Sequence, residues 1–352
     1  MEEADTGTMA TTVFENPTVT AFTVDLDYDF HWNDIEPKRP LSAMNVVGLT
    51  IYALVFLVGV PGNAAVAWVT GAEARRTVNA VWFLHLSVAD LQCCLSLPLL
   101  AVPLLRDGDW PLGEFACRVL PSLILLNMFA SVLLLTAISA DRCALALRPV
   151  WCQNHRSPRL AWAVCGASWG LALLLTAPSF VYRTIHREAF PPRTECVQDY
   201  GGDAQAEGAV TVIRFTTGFL VPLAVISGCH GVLLARLRGG PMPRPLLLVV
   251  VVVASFFLCW CPYHVVVLVV AAAAPQSSLL HRALQAEPLA LGLALSQSCV
   301  NPILFLCAGR SRLRQSLGAA LRRGLGDEGS WGTVGVADSK ATGDRETTEE
   351  LV

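Results

Sequence analysis

Apolar residues run in seven long blocks along the chain, at roughly 44–70, 79–105, 116–141, 159–182, 208–235, 246–273 and 286–307. Each reaches the ~20 residues that a helix needs to cross a ~30 Å hydrocarbon core. Lipid offers backbone amides no hydrogen-bond partner, so each block is expected to satisfy its own backbone as a helix. The expected fold class is therefore an all-α membrane protein, a seven-transmembrane helix bundle. Between the blocks lie short polar loops and one longer one at 183–207.

Arginines give the sidedness. Arg75, Arg76, Arg148, Arg156, Arg159, Arg236, Arg238, Arg244, Arg310, Arg312 and Arg314 fall in alternate loops and the C-terminal tail. The positive-inside rule puts these in the cytoplasm and the N-terminus outside. The N-terminal residues are acidic and polar, without the basic start and apolar core of a signal peptide, so the first span is expected to act as its own insertion signal. The chain divides into four regions. Residues 1–43 read as an acidic, disordered extracellular segment and 44–308 as the bundle. At 309–325, Leu313, Leu317, Leu321 and Leu325 recur every four residues among arginines. That pattern predicts a short amphipathic helix on the inner membrane surface. The polar, acidic 326–352 reads as a disordered cytoplasmic tail.

Composition agrees. Hydrophobic residues make up 54% of the 352 and charged ones 15%, against about 25% charged in soluble domains. The net charge of −3 provides no basic field for nucleic acid. Most of the twelve cysteines sit inside apolar blocks, where they behave as small buried hydrophobes.

Polar groups at membrane depth each require an explanation, because charge there is costly. Asp90 lies mid-span in LSVAD. Asn127 and Ser131, four apart, and Ser298 and Asn301, three apart, each share a helix face. With Asn63 they supply oxygens around one carboxylate. Two readings stand: a site for a hard cation such as sodium, or interhelical hydrogen bonds with no ion. Asp141 and Arg142 close the third block, either as an interfacial ion pair or as a switch in which Arg142 changes partners between two packings. Pro222, Pro262 and Pro302 lie deep in blocks five to seven and bend their helices. Arg183, Arg214 and Glu287 cluster toward the outer half. Arg214 lies eight residues before Pro222, roughly 12 Å along a helix, and is expected to face a cavity, either to hold a ligand or to pair with Glu287.

The ordered set of Asn63 in GNAAVAW, Asp90, Cys117, Asp141-Arg142-Cys143, Trp169, Pro222, Cys259-Trp260-Cys261-Pro262 and Asn301-Pro302-Ile303-Leu304-Phe305, one set per span, resembles the rhodopsin-like G-protein-coupled receptors. Segments such as TVNAVWFLHLSVAD, RPVWCQNHR and VASFFLCWCPYH resemble the chemoattractant group, closest to receptors for the complement component 5a anaphylatoxin. The resemblance implies a plasma-membrane receptor, not an enzyme. It further implies coupling to an inhibitory-class G protein, with arrestin and receptor kinases as further partners, in chemotaxis and inflammation. It assigns Asp90, Asn63, Asn127, Ser131, Ser298 and Asn301 to a sodium-sensitive core. Trp260 with Pro262 becomes a toggle, Asp141-Arg142 and Asn301-Pro302-Phe305 the cytoplasmic switch, and Cys117–Cys196 a disulfide at the outer face. Ligand recognition falls to Arg183, Arg214 and Glu287, the arginines for a terminal carboxylate and the acid for an arginine side chain. Asp25, Asp27, Tyr28 and Asp29 form a second, electrostatic contact for a basic protein. Ser339, Thr342, Thr347 and Thr348 lie near acidic residues and fit kinase sites.

Two features depart from the family pattern. Phe305 stands where tyrosine is usual, and the third cytoplasmic loop, 236–245, is short and proline-rich. Both resemble an atypical anaphylatoxin receptor that acts through arrestin and ligand uptake with weak G-protein coupling. The intact Asp141-Arg142-Cys143 argues against that reading. A transporter is the remote alternative; it would show paired repeats, and repeating halves are not apparent in this chain.

Overall fold

The structure, a computed structural model, describes residues 41–189, 192–237, 244–274 and 276–308. The acidic segment with Asp25, Asp27, Tyr28 and Asp29, the 309–325 helix, most of the third cytoplasmic loop, the Phe305 side chain and the Ser339, Thr342, Thr347 and Thr348 sites lie outside the described residues.

The chain builds α1 (Ala43–Glu73), α2 (Val78–Leu105), α3 (Gly113–Leu147), the short α4 (Pro149–His155) and α5 (Pro158–Val181). Next come a β-hairpin, β1 (Arg183–Ala189) and β2 (Pro192–Gln198), then α6 (Ala204–Phe215), a π-turn at Thr216–Leu220, α7 (Val221–Leu237), α8 (Arg244–Ala272) and α9 (Ser278–Ala308). Six spans are apolar and long enough to cross a membrane: α1, α2, α3, α5, α6 with α7, and α8. The seventh, α9, carries Glu287, Gln297, Ser298 and Asn301 and packs between α1 and α8.

The helices outrun the apolar blocks because hydropathy registers only the lipid-facing stretch. Thus α3 continues past Arg142 to Leu147, and α9 starts eight residues before its apolar block. Side-chain caps set the starts. Ser42 Oγ accepts from the Asn45 amide at 3.1 Å, and Asp203 Oδ1 accepts from the Gln205 and Ala206 amides at 3.0 Å. Each satisfies amides that a helix terminus leaves without an intrahelical acceptor.

α3 lies at the centre of the bundle and touches α2, α5, α7 and α8. Beside it Trp260, Phe256, Phe129 and Met128 are fully buried. The π-turn widens the fifth span between Arg214 and Pro222, and π-turns of this kind recur at functional sites. Gly218 within it lies against α3: a Cβ there would meet Met128 Cε at 3.0 Å and Phe129 Cε1 at 3.3 Å. Only glycine leaves that approach free.

The loop at 183–207 is more ordered than its polarity predicts. β1 and β2 pair antiparallel, Arg183 opposite Gln198 and Ile185 opposite Cys196. The Trp110 amide donates to the Thr194 carbonyl at 2.7 Å, and the Thr194 amide donates to Asp109 Oδ1 at 3.1 Å. The Cys117–Cys196 disulfide, Cα–Cα 5.5 Å, joins the hairpin to the start of α3. Replacing either cysteine with serine is expected to lower stability by about 2–5 kcal/mol. Thermal inactivation of the purified protein in detergent would read this as a clear drop in midpoint for both variants alike.

Candidate functional site

At the outer end, the first residue of β1 and the last turn of α6 bring two arginines together. Arg214 is only 9% exposed and, among the described residues, has neither an ion pair nor a hydrogen bond. It borders a cavity of about 220 Å³ between α5 and α6, lined also by Leu174, Leu175, Pro178, Val210 and Ile213. Arg183 lies half-buried above it. Burial pushes the Arg183 guanidinium down from its ordinary value, and the neighbouring Tyr263 and Glu287 oppose this while Arg214 adds to it. An arginine stays charged throughout this range. Glu287 on α9 is exposed and interacts electrostatically with Arg183. The Arg214–Glu287 ion pair is not formed among the described residues; Glu287 instead faces Arg183.

Tyr200 and Tyr182 pack with ring centroids 4.7 Å apart beside this pair of arginines. Gln198 Nε2 donates to the Tyr200 hydroxyl at 2.6 Å, and burial pushes its phenol up, so it stays neutral. Asp199 accepts from the Gly201 amide at 2.8 Å and meets His186 Nε2 at 3.4 Å. The Gly201 amide first, then His186, hold its carboxyl below the usual range. Its contribution to the loop is lost only as pH falls below that range.

Deeper, the Asp90 carboxylate is fully buried. Ser298 Oγ donates to its Oδ1 at 3.0 Å and Asn301 Nδ2 to its Oδ2 at 2.6 Å. Asn63 Nδ2 donates to the Ser298 carbonyl at 2.8 Å and to the Gly59 carbonyl at 3.0 Å. Ser131 Oγ donates to Asn127 Oδ1 at 3.3 Å. The six residues thus converge as two hydrogen-bonded groups, and the Cys93 thiol contacts both through Ser298 and Asn127. Among the described residues, Asn63 Oδ1 and Asn301 Oδ1 are buried and find no hydrogen-bond partner. Directly above, the Trp260 indole N–H, both polar atoms of Gln297 and His264 Nε2 are likewise buried and unpartnered. Trp260 packs against Phe256 at 5.9 Å and Tyr263 at 5.6 Å. Pro262 lies inside α8 two residues beyond Trp260, about half a turn, and Pro302 lies inside α9 next to Asn301.

At the cytoplasmic end the pairing differs from the expected Asp141–Arg142 contact. Arg156, which ends α4, grips Asp141 with both arms: Nε to Oδ1 at 2.8 Å and Nη2 to Oδ2 at 3.2 Å. Arg142 Nη2 donates instead to Asn79 Oδ1 on α2 at 2.6 Å, an oxygen that Arg156 Nη2 also reaches at 2.9 Å. Adjacent residues on a helix diverge by about 100°, and here each takes its hydrogen-bond partner from another segment. Sequence reasoning missed Asn79 and Arg156. Arg156 had signalled only sidedness, and Asn79 opens α2 as an ordinary polar residue.

Residues 62–305 match the family model for the 7 transmembrane receptor (rhodopsin family), and this chain belongs to that family. It is a multi-pass plasma-membrane receptor and not an enzyme. Within the family it is 50% identical over 297 residues to the C5a anaphylatoxin chemotactic receptor 1 of Oryctolagus cuniculus, covering 82% of this chain and 85% of that protein. It is 46% identical over 297 residues to the receptor of that name from Homo sapiens, with 83% and 85% covered. To the Rattus norvegicus protein it is 41% identical over 338 residues, with 92% and 96% covered.

Asp141 is 12% exposed and Arg156 23%, so removing one partner strands a largely buried charge. Arg156→Ala is expected to destabilise the receptor by roughly 1–3 kcal/mol, with Arg156→Lys recovering part of it because lysine lacks the two-armed geometry. Thermal inactivation midpoints of the two variants measure the difference; equal midpoints for Arg156→Ala and the parent would show that the pair contributes nothing.

Proposed function

We propose that this chain is a chemoattractant receptor for the C5a anaphylatoxin. It couples to an inhibitory-class G protein and is then handed to receptor kinases and arrestin, in chemotaxis and inflammation. The names borne by its relatives at 41–50% identity support the ligand. The observation that carries the reading is Arg214: a buried guanidinium with no ion-pair partner among the described residues, and a second arginine adding to its field. An uncompensated buried cation is unfavourable, and an arriving carboxylate removes that penalty. The C-terminal carboxylate of the ligand would meet Arg214 and Arg183. The side chain of a terminal arginine would meet Glu287, which is exposed on α9 and interacts electrostatically with Arg183. Opposite charges on β1, α6 and α9 would thus read both ends of one amino acid.

A second contact is made by Asp25, Asp27, Tyr28 and Asp29, whose charge steers a cationic protein toward the receptor. Below the ligand, the π-turn and Trp260 lie between the arginines and the Asp90 network. A shift there reaches Arg142, which exchanges Asn79 for a contact with the G protein. Ser339, Thr342, Thr347 and Thr348 would carry the phosphates that recruit arrestin. The buried oxygens of Asn63 and Asn301, unpartnered beside the Asp90 carboxylate, fit a sodium ion. With Asn127, Ser131 and Ser298 they would hold it, neutralising the carboxylate when bound.

Arg214→Ala should weaken binding of the anaphylatoxin by about 10- to 100-fold, the value of a charge-assisted contact. Glu287→Arg should weaken ligand carrying its terminal arginine more than ligand trimmed of it. Competition binding on cell membranes reads both, and equal losses for the two ligand forms would sink the assignment of Glu287. Ligand-stimulated nucleotide exchange on an inhibitory G protein, run beside arrestin recruitment, tests the output; exchange that survives Arg142→Ala would remove Arg142 from the switch.

A further inference from the structure

We propose that Tyr200 is a specificity-determining residue of the arginine site: its hydroxyl donates a hydrogen bond to the ligand's terminal carboxylate and so distinguishes a free carboxylate from a carboxamide. This deepens the reading in which Arg183 and Arg214 receive that carboxylate, and it rests on that reading. The placement comes from the hairpin. Arg183 stands opposite Gln198 in the β1–β2 register, and Ile185 opposite Cys196. Opposed residues, and residues two apart on one strand, share a face of the sheet. Arg183, Cys196 and Gln198 therefore project to one side, and Arg183 Nη1 reaches Cys196 Sγ at 3.8 Å. Gln198, on that side, donates through Nε2 to the Tyr200 hydroxyl at 2.6 Å. The half-buried Tyr200 ring packs on Tyr182, the residue before Arg183, with ring centroids 4.7 Å apart. The hydroxyl is thus bracketed by the cross-strand partner of Arg183 and by its chain neighbour.

The backbone around Tyr200 is fixed on both sides. The Asp199 amide donates to the Tyr182 carbonyl at 2.7 Å, the Gly201 amide to Asp199 Oδ1 at 2.8 Å, and the Asp203 amide to the Tyr200 carbonyl at 3.2 Å. Ring and hydroxyl are therefore placed before a ligand arrives, and a preorganised donor loses less entropy on binding. A phenol hydroxyl carries one donor and two acceptor sites. Gln198 occupies an acceptor site, so the proton points away from it. Guanidinium groups accept no hydrogen bond, so Arg183 and Arg214, both electrostatically coupled to Tyr200, cannot take that proton. Glu207 on α6 is also coupled to it, but is exposed, and no hydrogen bond joins the two among the described residues. A neutral donor thus stands unused beside the cations. A carboxylate has two oxygens and about four lone-pair sites, and accepts from both kinds of donor. A carboxamide has one oxygen and brings two donors of its own, which meet donors here.

The test is competition binding on membranes of cells carrying the full-length receptor. The probe is a synthetic peptide copying the C-terminal segment of the C5a anaphylatoxin, made with a free carboxylate or as its carboxamide. The parent should prefer the carboxylate form. Tyr200→Phe keeps the ring against Tyr182 and removes only the oxygen. It should weaken the carboxylate peptide by about 10- to 100-fold and the carboxamide by only about 2- to 5-fold, so that the preference shrinks. Gln198→Leu leaves both tyrosine rings in place, frees the hydroxyl, and should shrink the same preference; it decides the matter if Tyr200→Phe does not reach the membrane. A parent that binds the two peptides equally overturns the carboxylate reading of Arg183 and Arg214, and this proposal with it. A parent that prefers the carboxylate, with variants that keep that preference in full, overturns this proposal alone. That holds whether both affinities stay unchanged or both fall alike, since an equal fall marks a packing role.

Discussion

Hydrocarbon cannot accept or donate a hydrogen bond, and the arrangement of this receptor depends on that constraint. Once the helices have satisfied their own backbones, each polar side chain at depth must find its partner on a neighbouring helix. The Asp90 carboxylate therefore draws Ser298 and Asn301 from α9 onto α2, and Asn63 ties α1 to the same point through the Ser298 carbonyl. Trp169 on α5 donates to His85 on α2 at 3.2 Å, and Ser122 on α3 to Ser179 on α5 at 3.2 Å. Lipid is as apolar as leucine, so burial of leucine against leucine does not by itself specify which helices adjoin. The polar contacts are what distinguish one packing of these helices from another.

The same constraint makes the exceptions informative. Among the described residues, buried polar atoms without partners fall largely along one path: His264, Trp260 and Gln297, then Asn301 and Asn63 beside Asp90, then Ser139 and Arg142 Nε. A buried polar group left with no partner at all costs about 1–3 kcal/mol, so these atoms are the places where internal water or a bound ligand is accommodated. Groups that can choose among several partners, water included, allow more than one packing of similar energy. Near-degenerate packings are what a ligand must have if it is to shift a population with a few kcal/mol of binding energy.

Much of this was legible in the residues. The seven blocks gave helices whose ends differ mainly where they leave the apolar layer. The alternate arginines gave the sidedness, because both signals are one-dimensional: run length and charge position. The residues around Asp90 were legible because i, i+3 and i+4 spacing puts them on shared faces. The features that stayed hidden depend on contacts between distant segments. Arg156 lies in a loop, and nothing in its neighbours marks it as the partner of Asp141 rather than another cytoplasmic cation. The hairpin hides within a polar stretch since its order comes from the disulfide and from Trp110 and Asp109, about eighty residues earlier. The π-turn leaves no signature in hydrophobic period because a single wide turn rotates the remainder of the span without altering composition.

α3 links these levels. It is one helix of 35 residues, roughly 50 Å long, and it carries a constraint at each depth. Cys117 binds its outer end covalently to the hairpin beside Arg183. Asn127 and Ser131 at its middle face the Asp90 network through Cys93, and Gly218 brings the fifth span into contact at the same level. Its inner end is held differently: Asp141 by an arginine from a surface loop, Arg142 by a single amide oxygen that this arginine shares. A covalently bonded outer end and a hydrogen-bonded inner end are unequal in stiffness. The hydrogen-bonded restraints lie on the cytoplasmic face, where Asn79 must satisfy two guanidinium groups and has one oxygen with which to do it. Loss of either arginine from that oxygen leaves the other as its sole donor there, so the two restraints on the inner end of α3 are coupled through one atom.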